Sequence, residues 1–405
     1  MKLSVRPYPY PFRAAFSICN DLDLMTEERY LFLKDFFQNF PASAPSAKPG
    51  LPYGESFFVF NENPFHPEQI SLLTHPRLLV PDLESGYLAT MHGWGDFNFN
   101  PVFTREHAIK GLGLLKEIQK KTRVWVNHGS LHNLQNIGEG SGYGDVKEYI
   151  DGASKKYPVR EYHLDLARQL GIEFFWISEL TAIVGQNTKI SPWRAWRESK
   201  RPSRSRKPSS PPSKKTLERA AYQALHLYRK DNSLLKPRIM RDGNQIMEFV
   251  RFGAHDLATA DDLIYLIPAE VIEELLGNAG VMVLYTHLAK TKQPAGKMVD
   301  ESVEALRQIK SRFDEGKLWV SSTDKLLDYE SLKRSLSCEL RDREIVITFE
   351  AELLPGAFLP APERLTGMTF YCDPGNIDKV VYDNRQLPFK KNPEDFTGQK
   401  SLTLG

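Results

Sequence analysis

Cysteine is scarce, with only Cys19, Cys338 and Cys372 in 405 residues. Their wide spacing excludes a disulfide framework and a cysteine metal motif, and it is the usage expected in a reducing cytoplasm. Long apolar runs are missing too. No stretch approaches the roughly 20 residues of a membrane helix. The opening MKLSVRPYPYPF contains three prolines and no apolar h-region, unlike a signal peptide. A cytoplasmic protein with no transmembrane segment is the expectation. There is no Gly-x-Ser-x-Gly elbow for a serine nucleophile and no Gly-rich nucleotide fingerprint between a strand and a helix. What is present is 41% hydrophobic and 26% charged, enough for one large domain with an extra module.

Charge is unevenly placed. Residues 191–215, SPWRAWRESKRPSRSRKPSSPPSKK, hold nine Lys or Arg and one Glu. Rich in Ser and Pro, the stretch reads as a solvated loop, and an anionic partner such as a lipid headgroup or an acidic glycan would suit it. No nucleic-acid fold motif accompanies it, so nucleic acid is not expected.

Along the chain a short apolar run repeatedly gives way to polar residues and then to a helical pattern. Residues 14–19 lead to Asn20, Asp21 and Asp23; 86–91 to His92; 123–126 to Asn127 and His128; 172–177 to Ser178 and Glu179. Residues 246–252 lead to Gly253 and His255, 281–285 to Thr286 and His287, and 318–320 to Ser321 and Asp324. Thr104 reads as an N-cap with His107 at the third helical position, and Pro268 as a helix start. Strands alternating with helices imply parallel strands with crossover helices, as a β/α barrel or a doubly wound sheet. Polar residues at the strand ends then converge on one face. Residues 41–85 and 185–245 read as insertions, the first with an extra strand at 56–60. Residues 1–332 form the barrel unit. From 333 to 405 the pattern turns β-rich and reads as a small appendage, with a hairpin turn at Asp383-Asn384 or Asn384-Arg385.

Two acids one residue apart, Asp21 and Asp23, invite two explanations. Asp23 is placed to cap a helix starting near Thr26, with Glu27 and Glu28 in its first turn. Alternatively, one carboxylate binds a cation while the other takes a proton from water. His92 and Asp96, spaced i,i+4, suit one cation if they share a helical turn, and an acid from the Asp21/Asp23 pair completes a facial N/O triad. His287 at a strand end is a candidate general acid. His128 and His132 repeat the i,i+4 spacing. The preferred reading of that segment is substrate contact by Asn127, His128, His132 and Asn133, with Trp94 stacking on a sugar face.

This order of motifs resembles the polysaccharide deacetylase family, the NodB-homology domain, over residues 10–332. The resemblance implies a distorted (β/α)7 barrel, here with the small C-terminal β-rich appendage, and a divalent metal, zinc foremost. It further implies hydrolytic removal of an N- or O-acetyl group from a glycan or glycan precursor. NDLD resembles the family's first motif, implying Asp21 as base and Asp23 as metal ligand; a stricter alignment puts Asn20 in the base's place and Asp21 as the ligand. His92-Gly-Trp-Gly-Asp96 is similar to a His-x-x-x-His motif with Asp96 replacing the second His. VLYTH is similar to the late motif that supplies His287 as the acid. VNHGS stands at the third motif without its Arg and Pro, so the residue that steadies the base is missing from that place. Two alternatives follow: hydrolysis of another amide or a glycosidic bond, or a non-catalytic carbohydrate-binding or scaffold protein.

Overall fold

The computed structural model describes all residues except 1–2, 98–102, 119–121, 130–132, 139–160, 199–230, 241–242, 256 and 355–358. The first core strand, β1 (Ala14–Asn20), is buried along its whole length. Its unbroken apolar run suits a strand covered on both faces, as parallel sheets require. It leads to helix α1 (Glu27–Gln38), capped by Thr26, whose Oγ1 accepts from Arg29 N at 3.3 Å. The cap is therefore Thr26, and Asp23 is left for other work.

Strands β2 (Glu55–Phe57), β3 (Leu88–His92), β4 (Val124–Val126) and β5 (Phe174–Trp176) follow, then β6 (Leu180–Thr181), β7 (Leu235–Ile239) and β8 (Gln245–Phe249). The core strands end with β9 (Arg251–Phe252), β10 (Val281–Thr286) and β11 (Leu318–Val320). One sheet has the order β7-β8-β5-β4-β3-β2 and the other β11-β1-β10-β9-β6. Every pairing in them is parallel except the β7–β8 hairpin. The architecture is mixed α/β with several sheets, none closed. A single parallel bridge, Cys19 to Gly54, links β1 to the start of β2. Helices α2 (Arg105–Glu117), α3 (Ala269–Asn278), α4 (Asp300–Asp314) and α5 (Thr323–Ser335) occupy connections between or after these strands. The Thr104 N–H donates to His107 Nδ1 at 3.1 Å, as the capping pattern suggests.

Two parts of the chain differ from the sequence reading. The Pro-rich excursion at 41–85 is not merely an insertion, because β2 within it pairs in parallel with β3. Its run of Phe57, Phe58, Val59 and Phe60 is fully buried and belongs to the main core. Beyond Ser335, seven strands form two four-stranded sheets together with Ser4–Val5, which comes from the N-terminal end. Asp383 and Asn384, with φ of 49° and 57°, make the turn between Lys379–Tyr382 and Arg385–Leu387. Most of the basic loop (199–215) and the helical pattern at 216–229 lie outside the described residues. No helix among the described residues is long and apolar enough to cross a membrane.

Candidate metal and acid–base site

The carboxyl ends of β1, β3, β4 and β10 bring Asp21, Asp23, His92, His128 and His287 together. They do so because each polar residue directly follows an apolar strand that is locked into a parallel ladder. Asp21 still belongs to that ladder, with its N–H on Thr286 O at 2.9 Å. The chain then turns sharply through Leu24, at φ 63°, and the turn aims Asp23 at the same cavity. The cavity measures about 310 Å³ and is also lined by Asn127, Trp176, His255, Tyr285 and Lys290.

Asp23 is the hub. Its Oδ1 lies 3.0 Å from His128 Nδ1 and its Oδ2 lies 2.7 Å from His287 Nε2 and 3.3 Å from Lys290 Nζ. Burial would raise its pKa, but His128, His287 and His92 hold it well below the usual carboxylate range. His128 is buried between two carboxylates, with Nε2 3.0 Å from Asp96 Oδ1. Burial alone would depress it; Asp23 and Asp96 outweigh that and push it up to about 10. His92 stacks on Phe58, with ring centroids 5.1 Å apart. Burial dominates there and brings it down to about 4, so it is a neutral ring. His287 donates from Nδ1 to Ala258 O at 3.0 Å, which leaves Nε2 facing the acids.

Asp21 sits 3.8 Å from the Nε2 atoms of both His92 and His287. Its firm partner is Arg251, whose Nη1 and Nη2 reach the two carboxylate oxygens at 2.5 and 3.2 Å. The guanidinium is fully buried, 3.6 Å from the Trp176 ring centroid and 4.4 Å from that of Tyr285. Burial raises the Asp21 pKa, but Arg251 first and then the two histidines reverse this and lower it. The fork clamps the carboxylate bidentately while two aromatic faces hold the cation. The arginine that holds Asp21 comes from β9. Its signal was a charge inside the apolar run IMEFVRF.

Several assigned roles need correction. Asp96 does not join the cluster around Asp23. The i,i+4 spacing brings two side chains together only on a helical turn, but Gly93 takes φ 62° and Gly95–Asp96 pairs as a short strand with Phe60–Asn61. Asp96 stands behind His128 instead, held by Asn63 at 2.8 Å and Gln69 at 3.2 Å. His128 is therefore a ligand candidate rather than a sugar contact. Trp94 is wholly buried, with its indole N–H on His163 Nδ1 at 3.0 Å, so it offers no face to a sugar. Asn127 lines the cavity but spends its amide on Ile137 O and Ile177 O, while its Oδ1 accepts from Trp125 and Ile137. Asn133 braces His128 O at 2.8 Å. Asn20 is bonded to Glu55 and to Leu288 N, which removes it as a base. His132 lies outside the described residues.

The donor set fits a divalent cation with nitrogen and oxygen preference. Ligand atoms of Asp23, His92 and His128 all lie within 4.8 Å of one another, as do those of Asp21, Asp23 and His287. The outer contacts rank the rings. His128 and His287 each turn their second nitrogen to an oxygen acceptor, the arrangement that orients a ligating imidazole. His92 differs, because Leu22 N–H donates to its Nδ1 at 3.2 Å. No protein-family model, curated protein or solved structure matches the chain.

Proposed function

We propose that the protein is a metal-dependent hydrolase that removes an acetyl group from a glycan or glycan precursor, on a divergent barrel of the polysaccharide deacetylase kind. The observation that carries this reading is the division of labour between the two acids. Asp23 is surrounded by imidazoles, whereas Asp21 is clamped by Arg251 and left as a buried, ionised base.

Asp23, His92 and His128 would hold the cation, zinc foremost, which supplies Lewis acidity toward an acyl carbonyl and an attacking water. Asp21 takes the proton of that water. Arg251 keeps its carboxylate ionised and fixes its direction. His287, with Nδ1 committed to Ala258 O, presents Nε2 across the cavity to protonate the leaving nitrogen or oxygen. Trp176 and Tyr285 line the cavity while each turns a face to Arg251, so their part is to hold the clamp on Asp21. The seven-stranded barrel is supported by the chain passing between the sheets at β5–β6 and β8–β9, and by the Cys19–Gly54 bridge at the other seam. The non-catalytic alternative rested on a lost histidine and a lost arginine. His128 beside Asp23 and Arg251 on Asp21 favour the catalytic reading over it.

The test is acetate release from N- and O-acetylated sugars and oligosaccharides by protein loaded with zinc, manganese or cobalt. Chelation and Asp23→Ala should abolish both metal and turnover, while Asp21→Asn should abolish turnover and keep the metal. Acetate release by the Asp23→Ala, His92→Ala double variant would overturn the mechanism.

A further inference from the structure

Lys290 is a cation at the cavity mouth whose fixed position the proposed chemistry does not use. Its backbone is pinned from two sides. Ala260 N donates to Lys290 O at 3.0 Å, and Asp261 accepts from Thr291 Oγ1 and Lys292 N at 2.5 and 3.0 Å. Arg29, buried beneath the loop, donates to Leu288 O, Ala295 O and Lys297 O at 2.7–3.1 Å. The side chain is 35% exposed and reaches Asp23 Oδ2 at 3.3 Å.

A divalent cation on Asp23 would take that carboxylate and repel the ammonium. The charges around the loaded cavity then do not balance. Asp21, Asp23 and Asp96 stand against Arg251, Lys290 and a doubly charged ion, leaving one positive charge over. Among the described residues lining the cavity, Asp21 and Asp23 are the only acids. Lys290 at the mouth is then an ammonium within reach of an entering ligand and without a further acid among the described lining residues.

Resting on the metal-hydrolase reading above, we propose that Lys290 is a specificity residue that binds an anionic group on the substrate, a carboxylate or a phosphate, next to the bond that is cleaved. The substrate class is then an acidic acylated amino sugar rather than a neutral one. His255, whose ring meets Tyr285 edge-on at 5.8 Å, lines the same cavity.

The experiment is calorimetric titration of the zinc-loaded full chain and of Lys290→Gln with three probes. These are N-acetylglucosamine, N-acetylmuramic acid, which adds a carboxylate, and N-acetylglucosamine 1-phosphate. The wild type should bind at least one anionic probe about tenfold more tightly than the neutral sugar. Lys290→Gln should lose that preference with its zinc content unchanged, and the two anionic arms separate carboxylate from phosphate. No preference for either anion in zinc-loaded wild type, or a preference that survives in Lys290→Gln, overturns the proposal. Wild type that takes up no divalent metal overturns the hydrolase reading itself, a separate result read from the metal analysis.

Discussion

Asp21 and Arg251 form a charge pair that water scarcely reaches, with side-chain exposures of 4% and 0%. Removing one member strands the other, whereas removing both does not. Arg251→Met and Asp21→Asn should each cost about 3–5 kcal/mol in chemical denaturation. The double variant should cost clearly less than their sum, and additive losses would contradict the coupling. Glu55 makes a second residue-scale prediction. Burial pushes its carboxyl from 4.5 up to about 7 although Asn20, Tyr53 and Ser56 donate to it. The folded chain therefore holds a proton that the unfolded chain releases, so stability falls as pH rises from 4.5 to about 7 and levels off above. The loss should total on the order of 3 kcal/mol, and Glu55→Gln should flatten it in denaturation curves taken across that range. Residue types were legible from sequence where they followed apolar runs, as at Asp21, Asp23, His92 and His287. Partnerships were not legible. Asp96 has ligand spacing from His92, but the turn at Gly93 makes it the support of His128, and Arg251 reaches Asp21 across 230 positions.

At the scale of elements, α2 shows how packing decides what a side chain can do. A Cβ on Gly111 would lie 2.7 Å from Trp94 Cε3, whereas one on Gly113 meets nothing within 4 Å. Gly111→Ala should destabilise by about 1–3 kcal/mol through overpacking a rigid buried indole. Gly113→Ala should stabilise by up to about 1 kcal/mol through helix propensity alone. Thermal melts of the two variants check both signs. The same closeness explains why Trp94 is core and not a sugar platform, a distinction invisible in the string HGWGDF. Thr26→Ala should cost about 1 kcal/mol as the loss of an N-cap, measured by denaturation, and leave metal content unchanged. Capping patterns such as Thr104 and turns such as Asp383-Asn384 were readable because their causes are local. The strand β2 was readable only as an extra strand within an insertion; its parallel pairing with β3 was not, because prolines at positions 49, 52 and 64 surround a run whose partner lies more than thirty residues away.

For the whole molecule, the alternation of strands and helices was legible, and parallel pairing follows from it. How the ends of the chain are secured was not. Arg6 reaches Asp395 at 2.8 Å, and Ser4–Val5 completes a sheet built from residues beyond 368. Arg123 and Arg364 share Glu173 and Asp328 at 2.5–3.2 Å, joining the strand layer to the β-rich segment. Pairings this distant in sequence leave no local pattern. The assembled scaffold matters because it holds three imidazoles and two carboxylates around one cavity, and the central claim is that Asp23 there takes a metal. The most direct measurement is elemental analysis of the purified, chelator-stripped and zinc-reloaded chain, beside Asp23→Ala, His128→Ala and His92→Ala. The account predicts about one divalent ion per chain in the wild type and none in Asp23→Ala. By their outer contacts, it also predicts a deeper loss in His128→Ala than in His92→Ala. Wild type without metal, or full occupancy retained in Asp23→Ala, would contradict it.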